Sequence, residues 1–79
     1  MVSMATATQL RQIRDSIGAT QETVARRTRT IGLRTYIRAE SGNRVTYDTA
    51  MQILEAINSL LAESGKPTVT LEDLGLNLY

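Results

Sequence analysis

The chain has 79 residues with a formal net charge of +1, and it contains neither cysteine nor histidine. That length allows one small domain, 1–79, held by packing, since no disulfide or thiolate metal site is possible and the usual general base is missing; an enzyme, a metal site and a cofactor are not expected. No apolar run approaches a membrane span, and Met1-Val-Ser-Met4 has neither a basic n-region nor an apolar h-region, so the expected location is cytoplasmic with no membrane partner.

The spacing of apolar residues and caps predicts five helices. Residues 1–5 form a flexible start. Thr6-Ala-Thr-Gln9 has capping-box spacing, and Leu10, Ile13 and Ile17 follow at helical intervals before Gly18, giving a first helix over about 6–17. Thr20 offers the next N-cap, Glu22 suits the positive end of the helix dipole, and Val24 and Ala25 make a small apolar face through about Thr28. Thr30-Ile-Gly32 interrupts the pattern. A third helix runs from Leu33 to Ser41 and stops at Gly42-Asn43, residues that tolerate left-handed dihedrals. Thr46 caps the fourth and longest helix, whose stripe of Ala50, Ile53, Leu54, Ile57, Leu60 and Leu61 reaches toward Gly65 and supplies most of the core. Tyr47 is placed as its apolar staple. Thr70-Leu-Glu-Asp73 repeats the capping box and opens one last turn, with Leu71 and Leu74 inward. No internal repeat or low-complexity tract is present.

Charge is segregated along the chain. Residues 26–44 hold Arg26, Arg27, Arg29, Arg34, Arg38 and Arg44 against the single acid Glu40, whereas in residues 45–79 Asp48, Glu55, Glu63, Glu72 and Asp73 face only Lys66. A polar molecule with one basic face is expected. Nearly all the basic residues are arginine, whose planar guanidinium binds phosphate or guanine through two parallel hydrogen bonds. The plainer reading of such a cluster is a solvated helix face. Two short helices around a turn, the second carrying arginines, favour a recognition helix instead.

Gln21 at the opening of the second helix, Ala25 four residues on, and Glu40-Ser-Gly42 closing the third resemble the Cro/C1-type (Xre family) helix-turn-helix repressors over about residues 7–74. Arg14, seven residues ahead of Gln21, and Thr46-Tyr-Asp-Thr-Ala50 at the fourth helix also match that pattern. The resemblance implies an all-α, five-helix lambda-repressor-like bundle containing a helix-turn-helix, and sequence-specific binding of double-stranded DNA by a transcriptional regulator, a repressor in this reading. It further implies a structural ion pair between Arg14 and Glu40. One departure is visible: from Ala25 to Glu40 the chain has one residue more than the family's usual spacing. The extra residue is assigned to Arg29-Thr-Ile-Gly32, so a longer turn is expected.

Carried over onto matching positions, the family's contacts place Leu33, Arg34, Thr35 and Arg38 at base edges and Gln21, Asn43 and Arg44 near phosphates. The chemistry agrees: Arg34 and Arg38 are i, i+4 on one helix face, and arginine reads the O6 and N7 acceptors of guanine. Arg26, Arg27 and Arg29 read as sequence-independent phosphate contacts. Gln21 also reads as an exposed helix opener, and Leu33 as a partly buried packing residue; Tyr36 and Ala39 fit the core and Ile37 faces outward. Leu74, Leu76, Leu78 and Tyr79 suggest an extended C-terminal tail, 75–79, away from the basic face. It either packs back on the bundle or is buried in a second copy, the second being preferred, so a homodimer reading half-sites about 34 Å apart is expected. No effector domain is expected. Two alternatives stand beside the repressor: an antitoxin paired with a toxin partner, and a protein-interaction module using the acidic fourth helix and the tail.

Overall fold

Helices of eight residues or fewer are marginal in water, because nucleation fixes several dihedrals for one hydrogen bond. Four of the five helices among the described residues are that short, so each exists through what it buries. The computed structural model describes residues 8–79, in the order α1 (Gln9–Ser16), α2 (Gln21–Arg27), α3 (Leu33–Glu40), α4 (Tyr47–Glu63) and α5 (Leu71–Leu74). Among these residues the β pairing is limited to one isolated parallel bridge, Val45 to Leu78, and no helix is long and apolar enough to cross a membrane. The fold is all-α.

The expected stripe of α4 is buried along its whole length, and Ala56 and Gln52 are buried beside it. Around α4 each short helix contributes one large, fully enclosed side chain: Leu10 from α1, Val24 from α2, Tyr36 from α3 and Leu74 from α5. Burying a Leu or Val side chain fully contributes about 1.5–3 kcal/mol, which a one-turn helix such as α5 needs in order to persist. α2 packs on α3 and α4, while α5 packs on α1 and α4.

Three threonines cap as their positions suggest. Thr20, Thr46 and Thr70 accept from the backbone N–H groups of Thr23, Thr49 and Asp73 at 3.0, 3.2 and 3.3 Å. At α5 the box is reciprocal, the Asp73 carboxylate accepting from the Thr70 N–H at 2.9 Å. The start of α1 differs from the expectation: it begins at Gln9 with Thr8 as the cap residue, and Thr8 makes no capping bond to its own helix. Instead its N–H and hydroxyl both donate to the Glu40 carbonyl, at 3.2 and 3.1 Å, so the end of α3 sets where α1 begins. Thr6 and the flexible start expected for residues 1–5 lie outside the described residues.

After α3, the N–H groups of Gly42 and Asn43 donate to the carbonyls of Ala39 and Arg38, a Schellman ending that requires the positive φ of 101° at Gly42. The longer turn between α2 and α3 is held from α4. The Thr30 N–H donates to Gln52 Oε1 at 2.9 Å, and the Gln52 amide nitrogen donates to Asp48 at 2.9 Å. Tyr47, expected as a staple, is 64% exposed; Val45 closes the core at that end of α4 instead.

Of the two placements expected for the C-terminal segment, the structure shows the first, since the segment packs back on its own bundle. Val45 donates to the Asn77 carbonyl at 2.9 Å, Tyr79 donates to the Val45 carbonyl at 3.1 Å, and the Asn77 side-chain amide donates to the Gly42 carbonyl at 3.3 Å. Val45 presents unpaired backbone groups just beyond α3, and an extended segment satisfies them at little cost. The segment thus lies beside the loop that carries Asn43 and Arg44, not away from it.

Gly75 makes the turn into that segment with a φ of +65°, and a Cβ there would meet Gln9 Cγ at 3.0 Å. Gly75→Ala should therefore lose about 1–2 kcal/mol from the left-handed backbone alone. A urea titration should show a lower midpoint at unchanged helical content; a midpoint equal to the parent's would contradict this placement of the C-terminal segment.

Candidate nucleic-acid interface

α3 turns Tyr36, Ala39 and Glu40 inward and leaves Leu33, Arg34, Thr35, Ile37 and Arg38 exposed. The inward set includes an acid, and an ionised carboxylate in a core is costly unless it is paired and hydrogen-bonded. Glu40 is only 4% exposed, yet it accepts four hydrogen bonds. Arg14 supplies two, from Nε at 2.8 Å and Nη2 at 2.9 Å, Gln21 Nε2 a third at 2.9 Å, and the Tyr36 hydroxyl the fourth at 2.8 Å. Arg14 is nearly buried too, and its remaining guanidinium nitrogen donates to the Ala19 carbonyl at 2.9 Å. One carboxylate thereby fastens α1, α2 and α3 together. Burial pushes the Glu40 carboxyl up, but hydrogen bonds from Arg14, Tyr36 and Gln21 and the charge of Arg14 outweigh it and hold the group below its ordinary value of 4.5. Burial, followed by the bond to Glu40, raises the Tyr36 hydroxyl far out of the physiological range.

The outer side of α3 gains from this arrangement. Glu40 is the one acid between residues 26 and 44, and it is buried and matched by Arg14, not turned toward Arg34, Arg38 or Arg44. Among the described residues these three arginines form no ion pair. Arg34 and Arg38 are one turn apart on α3, while Thr35, Arg38, Asn43 and Arg44 meet around a surface hollow completed by Val45 and Tyr79. Leu33 and Ile37 are 41% and 38% exposed, so both are available as apolar contacts on that side.

The other three arginines of residues 26–44 each form an ion pair, so the expected basic face holds fewer unpaired groups than the sequence alone suggests. Arg27 donates to Glu63 at 2.6 and 3.1 Å and to Ser59 at 2.8 Å, and Arg29 donates to Glu55 at 2.6 Å, so both lean on α4. Arg26 pairs along its own helix with Glu22 at 3.1 Å. The reason is the packing of α2 against α4, which brings the acidic helix alongside the end of α2 and the following turn. Hydrogen bonding to Arg27 and its charge hold the Glu63 carboxyl below its ordinary value. Such exposed pairs contribute little to stability, but they draw these guanidinium groups away from α3. Gln21, expected near phosphate, has its amide nitrogen committed to Glu40.

Two contributors were not identified from sequence. Gln52 sits beside the apolar stripe of α4 with no local sign that it is buried; Tyr79 reaches the hollow through a bridge to Val45 that no local pattern announces. No family model, curated protein or solved structure matches this chain.

Losing Arg14 would strand the buried Glu40 charge, so Arg14→Ala should cost on the order of 3–5 kcal/mol in chemical denaturation. A variant as stable as the parent would show that the pair is not needed. The pH response follows from the depressed carboxyl: its contribution is complete above the ordinary 4.5 and is lost as pH falls through the lower folded value. Urea midpoints taken at pH 6 and pH 3 should accordingly fall further for the parent than for Glu40→Gln. Equal falls would remove Glu40 from the acid response.

Proposed function

We propose that this chain is a sequence-specific, double-stranded-DNA-binding transcriptional regulator, a repressor of the lambda-repressor-like kind, in which α2, the turn at 28–32 and α3 act as a helix-turn-helix. The observation that carries the reading is the set Arg34, Arg38 and Arg44, unpaired on one side of α3 while the nearest acid is buried and matched. An eight-residue helix is about 12 Å long, comparable to the width of the major groove. In the groove, Arg34 and Arg38 read guanine edges, while Leu33 and the Thr35 methyl contact thymine methyls. Asn43 and Arg44 hold the phosphate backbone. Two copies engage an inverted repeat, because one short helix touches too few base pairs for operator affinity.

The chain works without a metal or cofactor and acts in the cytoplasm in this reading. An antitoxin that also regulates its own promoter would use the same face. The interaction-module alternative has less support: Glu55 and Glu63, which would draw a basic partner to α4, already pair with Arg29 and Arg27.

Selection from a pool of random duplexes should yield a preferred site containing G·C pairs, arranged as half-sites about one helical turn apart. Against that site Arg34→Ala and Arg38→Ala should each lose about 1–3 kcal/mol and relax the preference at one G·C pair. Arg44→Ala should weaken selected and random DNA alike and flatten the salt dependence by roughly one unit of slope. Arg27→Ala should change affinity less than Arg44→Ala does. A pool with no enrichment, or an Arg34 variant that weakens both DNAs equally, would defeat the assignment of α3 as the reading helix.

A further inference from the structure

The hollow beside α3 has a lining suited to more than a backbone phosphate. Its volume is about 360 Å³, within the roughly 300–1,000 Å³ typical of small-molecule sites, and it is bounded by Thr35, Arg38, Asn43, Arg44, Val45 and Tyr79. No acidic side chain lines it, and the two guanidinium groups have no ion-pair partner among the described residues. Tyr79, 82% exposed, lines the same hollow. The backbone that carries the ring is held: the Tyr79 N–H donates to the Val45 carbonyl at 3.1 Å, and Val45 donates to the Asn77 carbonyl at 2.9 Å.

Two guanidinium groups with no acidic side chain in the same hollow suit a phosphate, and an exposed aromatic ring beside them suits the stacking of a base. Thr35 and Asn43 add a hydroxyl and an amide for a sugar or base edge. In duplex DNA the bases are stacked inside the helix and out of reach of such a ring. The combination suits a nucleotide whose base is free. We propose that the hollow binds a free mononucleotide, its phosphate on Arg38 and Arg44 and its base on Tyr79. Because Arg38 is shared with the DNA-reading face, a bound mononucleotide competes with duplex DNA. The site itself rests on its lining and does not require the DNA reading to hold.

The test uses the full chain, titrated by NMR with adenosine monophosphate, adenosine and inorganic phosphate. Adenosine monophosphate should bind about fivefold or more tighter than inorganic phosphate, the factor a stacked base contributes. Tyr79→Leu should erase that difference, Tyr79→Phe should retain it, and Arg44→Ala should weaken both phosphate ligands. Equal affinities for the two phosphates, monophosphate binding that survives Tyr79→Leu, or no saturable binding would overturn the proposal. So would binding of a short single-stranded oligonucleotide by a protein that ignores the monophosphate, which would make an unpaired strand the ligand. If the monophosphate binds as described and no duplex is selected, the DNA reading fails while this site stands.

Discussion

The buried Glu40 carboxylate is the constraint on which the rest of this small protein depends. It receives Arg14 from α1, Gln21 from α2 and Tyr36 from its own helix, and its backbone carbonyl receives the N–H and hydroxyl of Thr8. A charge in that position is tolerable only while every one of these donors is in place, so the first three helices are held in one mutual arrangement. Apolar contacts alone would let short helices slide. The carboxylate network also decides the outer surface, since the acid that would have neutralised part of α3 is turned inward. Stability and surface charge are coupled through a single side chain.

Charge that is separated along the chain is partly recombined in space. α4 carries Glu55 and Glu63 on its exposed side, and Arg29 and Arg27 fold against them. What remains unmatched is the smaller set of Arg34, Arg38 and Arg44, bordered by Leu33, Ile37 and the C-terminal Tyr79. For the proposed DNA face this is a gain in definition: a diffuse basic region becomes a short row of guanidinium groups at one helix and the loop after it. The C-terminal segment belongs to the same region because Val45, the residue that follows Arg44, is where it pairs.

Much of the fold was legible because local signals and burial agree. Thr20, Thr46 and Thr70 stand where capping oxygens are needed, Gly42 stands where a left-handed residue must, and the α4 stripe has helical spacing over about three turns. The Arg14 and Glu40 positions were marked by family resemblance and by opposite charge, while the Gln21 and Tyr36 donors follow only from the packing. Features that depend on distant partners were not legible. Arg27 and Glu63 are 36 residues apart, and so their union rests on how α2 crosses α4. Gln52 shows no local sign of burial until the longer turn needs a buried acceptor. The alternation of Leu76, Leu78 and Tyr79 shows an extended segment but not what it lies on, which is why a second copy and the chain's own bundle could not be separated by pattern. Likewise, helical spacing alone places Tyr47 inward, but the core at that end is already closed by Val45.

The most direct measurement of the central claim is an amide chemical-shift map of the chain titrated with a duplex it binds. The claim is that burial of Glu40 leaves α3 and the following loop as the nucleic-acid face. The shifts should concentrate at Arg34, Thr35, Arg38, Asn43 and Arg44, with Arg27, Arg29 and the exposed side of α4 little changed. Shifts centred on α4 around Glu55 and Glu63, or none at saturating duplex, would contradict it.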